Sequence, residues 1–362
     1  MSHVATNPKT PQSAQGPQSA QGQQSAQGRQ APQSNTAQPL LKLEDVSVSI
    51  GPKTLVEDVN WQVMPGQAVG LVGESGSGKS VTLRSVLGLL PSHAKTTGRI
   101  LFEDEDVLCF SKRRRTDWWG DEVASVFQDP RTHVNPVHTI GDFLTEALRL
   151  RKRMSRRKAE AKAVEWLENV RIPRARAVLG QLPGELSGGM LQRVTIAAAM
   201  MTGPKLLFAD EITTALDVTT QEEVMAILDE IRHELGLAMV FVTHDLDLAG
   251  AVCSELVVMR QGHIVEKIAS EDVYDHAEDE YTKMLISARS AFTQVEETGE
   301  MPDDDLGEPE SVASALRMVE GGDATLAAIA EERAAETAPA GADAEVETDP
   351  ATAVGHEKNE EA

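Results

Sequence analysis

Cysteine, aromatic rings, long apolar runs and evenly spread charge are all scarce in this sequence of 362 residues, and each scarcity closes off a class of protein. The two cysteines, Cys109 and Cys253, lie far apart and match neither a disulfide framework nor the spacing of a zinc or iron–sulfur site. A reducing cytoplasm is the expected compartment. No stretch approaches the ~18 consecutive apolar residues of a membrane span. The start, MSHVATNPKT, has neither the charged onset nor the apolar run of a signal peptide. Rings are absent from residues 1–40, and after Arg289 only Phe292 remains, so neither end has the large side chains a packed core needs.

Charge is concentrated at one end. Residues 291–362 carry 20 acids against 3 bases, which accounts for most of the net charge of -23. The leader, 1–40, holds Lys9 and Arg29 and no acid. Its repeat PQSAQGPQSAQGQQSAQG offers nothing to bury and reads as a disordered low-complexity extension. From Leu41 the pattern changes to the alternating runs LKLEDVSV and VEDVNWQV, which predict strands near a sheet edge. The expected organisation is therefore a leader over 1–40, a folded domain over 41–290 and an acidic, disordered tail over 291–362. Within the tail a short helix inside Val312–Glu336 is disfavoured by Gly321 and Gly322. The middle segment is only mildly acidic, so no nucleic-acid partner is expected.

The first chemical motif is GESGSGKS: Gly73, Glu74, Ser75, Gly76, Ser77, Gly78, Lys79 and Ser80. It follows the apolar run QAVGLV and precedes VTLRSVLGLL, which has helical spacing. Strand, glycine loop and helix in that order form a phosphate site. Glycines let backbone N–H groups converge on phosphate oxygens, and the helix N-terminus adds partial positive charge. Lys79 suits the β and γ phosphates of ATP, and the Ser80 hydroxyl suits magnesium.

A phosphate loop alone does not separate kinases, GTPases and transport motors. Further along come LSGGM (Leu186–Met190), an apolar helix, and PKLLFADE. Here the chain resembles the ABC ATPase family. LSGGM is similar to the family signature, with Ser187, Gly188 and Gly189 as its anion-binding residues, and LLFAD is similar to the Walker B strand. The resemblance makes Asp210 a magnesium ligand and Glu211 the catalytic carboxylate. Chemistry agrees, because an acid ending an apolar strand can hold a metal shell and the next one can polarise water. Gln128 in VFQDP resembles the glutamine that reaches magnesium and the lytic water. TALD (Thr214–Asp217) resembles the segment that crosses to a facing subunit, and His244 in FVTHD resembles the switch histidine on the γ phosphate.

GESGSGKSVTL, FQDPRTHVNPVHTIGD, the Met of LSGGM and EITTALDVTTQ together resemble ATP-binding subunits of oligopeptide, dipeptide and nickel permeases. EDVYDHAEDEYTKMLISA looks like the end of that subfamily's fold, and the usual cysteine-rich extension is missing. The resemblance implies an ATPase on the cytoplasmic face of a membrane, peripheral to its permease subunits. It also implies pairing with a second ABC ATPase chain, identical or different, and an extracellular solute-binding protein that delivers cargo. The alternative is a soluble ABC ATPase acting on DNA or ribosomes, against which stand a single phosphate loop and the lack of heptads or zinc cysteine pairs.

The implied fold is α/β: a P-loop NTPase core of ABC type, with an N-terminal antiparallel β portion and a helical subdomain over about 140–200. Strands are predicted at about 68–72, 123–127, 205–209 and 238–242. Three positions depart from the resemblance, the mildest being Val134, where the peptide subfamily usually has leucine. Ile50, 29 residues before Lys79, stands where an aromatic ring usually stacks on adenine, and Ile212 replaces a proline after Glu211. The basic segments SKRRRTDWWG (Ser111–Gly120) and RLRKRMSRRK (Arg149–Lys158) read as solvated faces rather than as phosphate-binding patches.

Overall fold

Two kinds of hydrophobic pattern build two kinds of sheet. The computed structural model describes residues 38–214 and 216–288; the leader before residue 38, the acidic tail and the segment Val312–Glu336 lie outside the described residues. Its strands in chain order are β1 (Leu41–Ile50), β2 (Lys53–Val63), β3 (Ala68–Val72), β4 (Ala94–Phe102), β5 (Glu105–Asp106), β6 (Val123–Val126), β7 (Leu206–Asp210), β8 (Ala238–Thr243), β9 (Glu255–Arg260) and β10 (His263–Ala269).

The alternating segments form an antiparallel sheet in the order β2-β1-β4-β5. β2 is at its edge as the sequence suggests, but β1 is interior, because β4 pairs along its other side. Leu40, just before β1, is already buried and its N–H donates to Val63 O at 2.8 Å, so packing starts one residue ahead of the expected boundary.

The uninterrupted apolar runs AVGLV, LLFAD and AMVFVT become β3, β7 and β8, each buried along its whole length. They lie in a second sheet, order β10-β9-β3-β8-β7-β6, parallel except for the β9–β10 hairpin. Continuous apolar runs are what a parallel sheet covered on both faces requires. Side chains alternate between two cores: Ala68, Val72, Leu207, Ala209, Met239 and Phe241 point to one, and Val69, Leu71, Leu206, Phe208, Val240 and Val242 to the other.

The first core is closed by helices Ile140–Leu150, Arg156–Asn169 and Gly188–Met200, which contribute Leu144, Leu148, Leu167, Leu191 and Val194. The second is closed by the antiparallel sheet and by Trp118, which meets Phe102 and Phe110 edge-on with centroids 5.6 and 5.8 Å apart. Helix starts are set by side chains that accept the first free amides: Thr139 from Asp142 at 3.1 Å, Asp217 from Thr220 at 3.0 Å and Asp245 from Leu248 at 3.0 Å. Each such cap stabilises its helix by about 1 kcal/mol.

The basic segments are matched by local acids. Arg114 bridges Glu105 and Glu122, Arg151 reaches Asp117 and Asp121, and Arg156 pairs with Glu160 at 2.7 Å. No helix among the described residues is long and apolar enough to cross a membrane.

Candidate functional site

Parallel strands deliver their loops to one edge of the sheet, and that edge is where open α/β sheets bind ligands. β3 ends at Val72 and runs into Gly73, β6 at Val126 into Phe127 and Gln128, β7 at Asp210 into Glu211, and β8 at Thr243 into His244. Four of the sequence-predicted groups therefore share one rim, although they are scattered over more than half the described chain.

The glycine loop is shaped by necessity at two points. Gly73 has φ +150°, and a Cβ there would stand 2.2 Å from Met259 O. Gly78, at φ +109°, precedes helix Lys79–Leu87 and offers no side chain to cap it, which leaves the first amides aimed into the loop. Those amides are the phosphate-binding feature of such a loop. The Ser77 hydroxyl is buried without a partner, a polar atom suited to an incoming oxygen. Lys79 is buried and donates to the carbonyls of Gly73 at 2.6 Å and Glu74 at 2.9 Å, so its ammonium is held over the loop. Ser75 and Gly76 form the exposed crest.

Ser80 donates to Asp210 Oδ1 at 3.3 Å, joining the glycine loop to the end of β7. Burial, followed by the neighbouring charge of Glu211, raises the Asp210 carboxyl above the usual carboxylate range; Ser80, Arg84 and Lys79 oppose the shift. A cation held between Ser80 and Asp210 would relieve that burial cost, so this pair fits a hard metal with oxygen ligands. Glu211 adopts the left-handed conformation, φ +49°, costly for a side chain of its size, and its N–H is held by Val242 O at 2.9 Å. Ile212 is buried in the first core, where its side chain anchors the strained turn.

The remaining residues are placed as follows. Gln128 is exposed and His244 half-buried on the same rim. Ile50, half-exposed, closes β1 opposite Lys53 and Ala94. Ser187, Gly188 and Gly189 lie on the helical layer. Ser187 caps helix Gly188–Met200 by accepting from Met190 N at 3.3 Å, and a Cβ on Gly189 would meet Thr220 Cγ2 at 2.5 Å. The signature thus abuts the start of helix Val218–Leu235, the helix that follows TALD.

Sequence reasoning missed two residues at this site. Gly262, in the β9–β10 turn, donates to Ser77 O at 2.8 Å and accepts from Glu57 N at 2.9 Å, tying the glycine loop to the antiparallel sheet. Tyr281 accepts from Glu74 N at 3.0 Å. Neither belongs to a spaced motif, since both reach the loop from about 200 residues away in the chain.

Comparison with known proteins agrees with this geometry. A family model described as ABC transporter matches residues 56–214. The chain is 40% identical over 278 residues to a peptidoglycan transport ATP-binding protein, YejF, of Agrobacterium fabrum, covering 75% of this chain but only 50% of that protein. It is 37% identical over 254 residues to the oligopeptide transport ATP-binding protein OppD of Haemophilus influenzae, covering 69% of this chain and 79% of that one. Among solved structures it resembles the dimeric ATP-binding cassette MJ0796 in a post-hydrolysis state bound to ADP and Pi. The TM-score there is 0.57 at 27% identity, over 64% of this chain and 98% of that one. With a glycine loop at a helix start joined to a metal-suited Ser80–Asp210 pair, and with relatives of 37–40% identity over more than two thirds of its length, the chain belongs to the ABC transporter family of ATPases.

Proposed function

We propose that this ATPase works at the cytoplasmic face of a membrane and energises the uptake of di- or oligopeptides through permease subunits, loaded by an extracellular binding protein. The observation that carries the reading is the meeting of Ser80 and Asp210 at 3.3 Å with Glu211 on the adjoining turn, beside a loop whose helix start is uncapped. ATP lies with its phosphates on residues 73–80, where the Lys79 ammonium, held over the loop by the Gly73 carbonyl, turns its remaining donors to the β and γ oxygens. Magnesium, when bound, neutralises phosphate charge, and Ser80, Asp210 and Gln128 are the residues to hold it. Glu211 orients and polarises the attacking water, and His244 fixes the γ phosphate.

Ser187, Gly188 and Gly189 sit on a different layer from the loop of their own chain. They act on the nucleotide of a second ATPase subunit, identical or different, in a two-subunit sandwich. A groove of about 200 Å³ lined by Leu87, Leu89, Trp119 and Val123–Ser125 opens beside the strand leading to Gln128. Its exposed Leu89 and Trp119 give the permease an apolar seat next to a group that senses nucleotide. The relatives described above are named as transport proteins, which argues against a soluble ATPase acting on DNA or ribosomes.

Glu211→Gln tests the reading. The purified variant binds ATP like the wild type, hydrolyses it about 10²–10⁴-fold more slowly, and in cells stops uptake of a labelled tripeptide. Unchanged turnover would remove Glu211 from the mechanism, and wild-type uptake in cells lacking the chain would remove the peptide assignment.

A further inference from the structure

The nucleotide loop is fastened from the far end of the described residues. A peptide group is a rigid plane with its C=O and N–H on opposite edges. In the Gly73–Glu74 peptide the carbonyl accepts from Lys79 Nζ at 2.6 Å, and the N–H donates to Tyr281 Oη at 3.0 Å. One plane therefore couples the phenol of Tyr281 to the ammonium that meets phosphate. Gly73 cannot fix that plane itself, because a residue without Cβ leaves its neighbouring torsions soft.

Tyr281 is built for the task. It lies in the helical stretch 280–288, 2% exposed, with its N–H accepted by Asp279 Oδ1 at 2.9 Å and the Arg260 guanidinium 4.9 Å over its ring. Burial pushes its phenol above the ordinary tyrosine value, so it stays neutral at physiological pH. The second corner of the loop is pinned from the same region, Gly262 N–H on Ser77 O at 2.8 Å.

We propose that Tyr281 is a positioning residue for ATP: its phenol sets the orientation of the Gly73–Glu74 peptide and, through the carbonyl on the opposite edge, the placement of Lys79. The inference rests on the reading of residues 73–80 as the nucleotide loop, which wild-type ATPase activity in the same assay tests separately.

Tyr281→Phe keeps the ring and its Arg260 contact and removes only the hydroxyl. Thr282→Val is the packing control, since Thr282 is fully buried beside it with an unpartnered hydroxyl. Tyr281→Phe is expected to raise KM for ATP about 3- to 10-fold, the equivalent of one neutral hydrogen bond. Its kcat should stay within about twofold of wild type, and its nucleotide-free Tm within about 3 °C. Hydrogen exchange over residues 73–79 should quicken, whereas Thr282→Val leaves KM and that exchange unchanged. An unchanged KM, equal KM increases in both variants, a loss confined to kcat, or a Tm drop beyond about 6 °C in Tyr281→Phe would each overturn the proposal.

Discussion

Replacing Gly262 by alanine should damage stability and nucleotide binding together, and the size of the effect follows from its surroundings. Gly262 has φ +88°, and an added Cβ would stand 2.5 Å from Leu55 O and 3.3 Å from Val56 Cα, backbone atoms of β2 that have no rotamer to yield. The left-handed conformation costs an L residue about 1–2 kcal/mol. Relieving the clash means moving the turn, which weakens its bonds to Ser77 O and Glu57 N, at about 1 kcal/mol each. Alanine returns about 0.5–1 kcal/mol by stiffening the unfolded chain. The net is about 2–3.5 kcal/mol, or a Tm lowered by about 4–7 °C in a domain of this length. Gly203 isolates the conformational part: its φ is +75°, yet nothing lies within 4 Å of an added Cβ. Gly203→Ala should therefore cost only about 1 kcal/mol. Calorimetric melts of both variants, with and without a non-hydrolysable ATP analogue, separate the effects. Because Ser77 loses its brace, Gly262→Ala should also shift less on adding nucleotide. Equal Tm losses in the two variants, or an undiminished nucleotide shift in Gly262→Ala, would refute the reasoning.

Two further outcomes are expected. Asp210 has a folded-state pKa above its unfolded value, so the folded state takes up a proton first on acidification and stability falls as pH rises through the folded pKa. Asp210→Asn should then raise the Tm of the nucleotide-free protein at pH 8, with a difference that shrinks on acidification, while hydrolysis is lost; an Asn variant melting lower at both pH 5 and pH 8 would contradict this. Ile50→Tyr should tighten ATP binding by about 0.5–1.5 kcal/mol through a restored stacking ring, measured by fluorescence titration, and unchanged affinity would mean the base is already covered.

Much of this molecule is legible in its sequence because its three central parallel strands, β3, β7 and β8, are short, almost wholly apolar and each followed by a motif. AVGLV before Gly73 and LLFAD ending in Asp210 announce a strand and its functional turn in the same breath, and both strands run as read to within one residue. The antiparallel sheet was harder. Alternation in LKLEDVSV marks a half-buried strand but says nothing of a partner on each side, so the interior place of β1 emerges only from its pairing with β4. The braces were illegible for a different reason. Gly262 acts through its backbone and Tyr281 through a single hydroxyl on a backbone amide, and such bonds leave no mark in residue spacing. The strain at Glu211 was equally hidden, since the sequence shows an acid after a strand and not the φ of +49° at which the next loop holds it.

The division of the interior into two cores by one sheet also divides the protein optically. Its four tryptophans fall on separate parts of that plan. Trp166 packs on the helical side, Trp61 and Trp118 are buried on the other with indole nitrogens that meet no acceptor, and Trp119 stands 41% exposed beside the groove. Buried, unbonded indoles emit toward the blue and a solvent-facing one toward the red, so the unlabelled protein carries distinguishable intrinsic fluorophores. Single-tryptophan versions retaining only Trp166 or only Trp119 would let stopped-flow spectroscopy follow the helical layer and the groove as separate signals during one catalytic cycle.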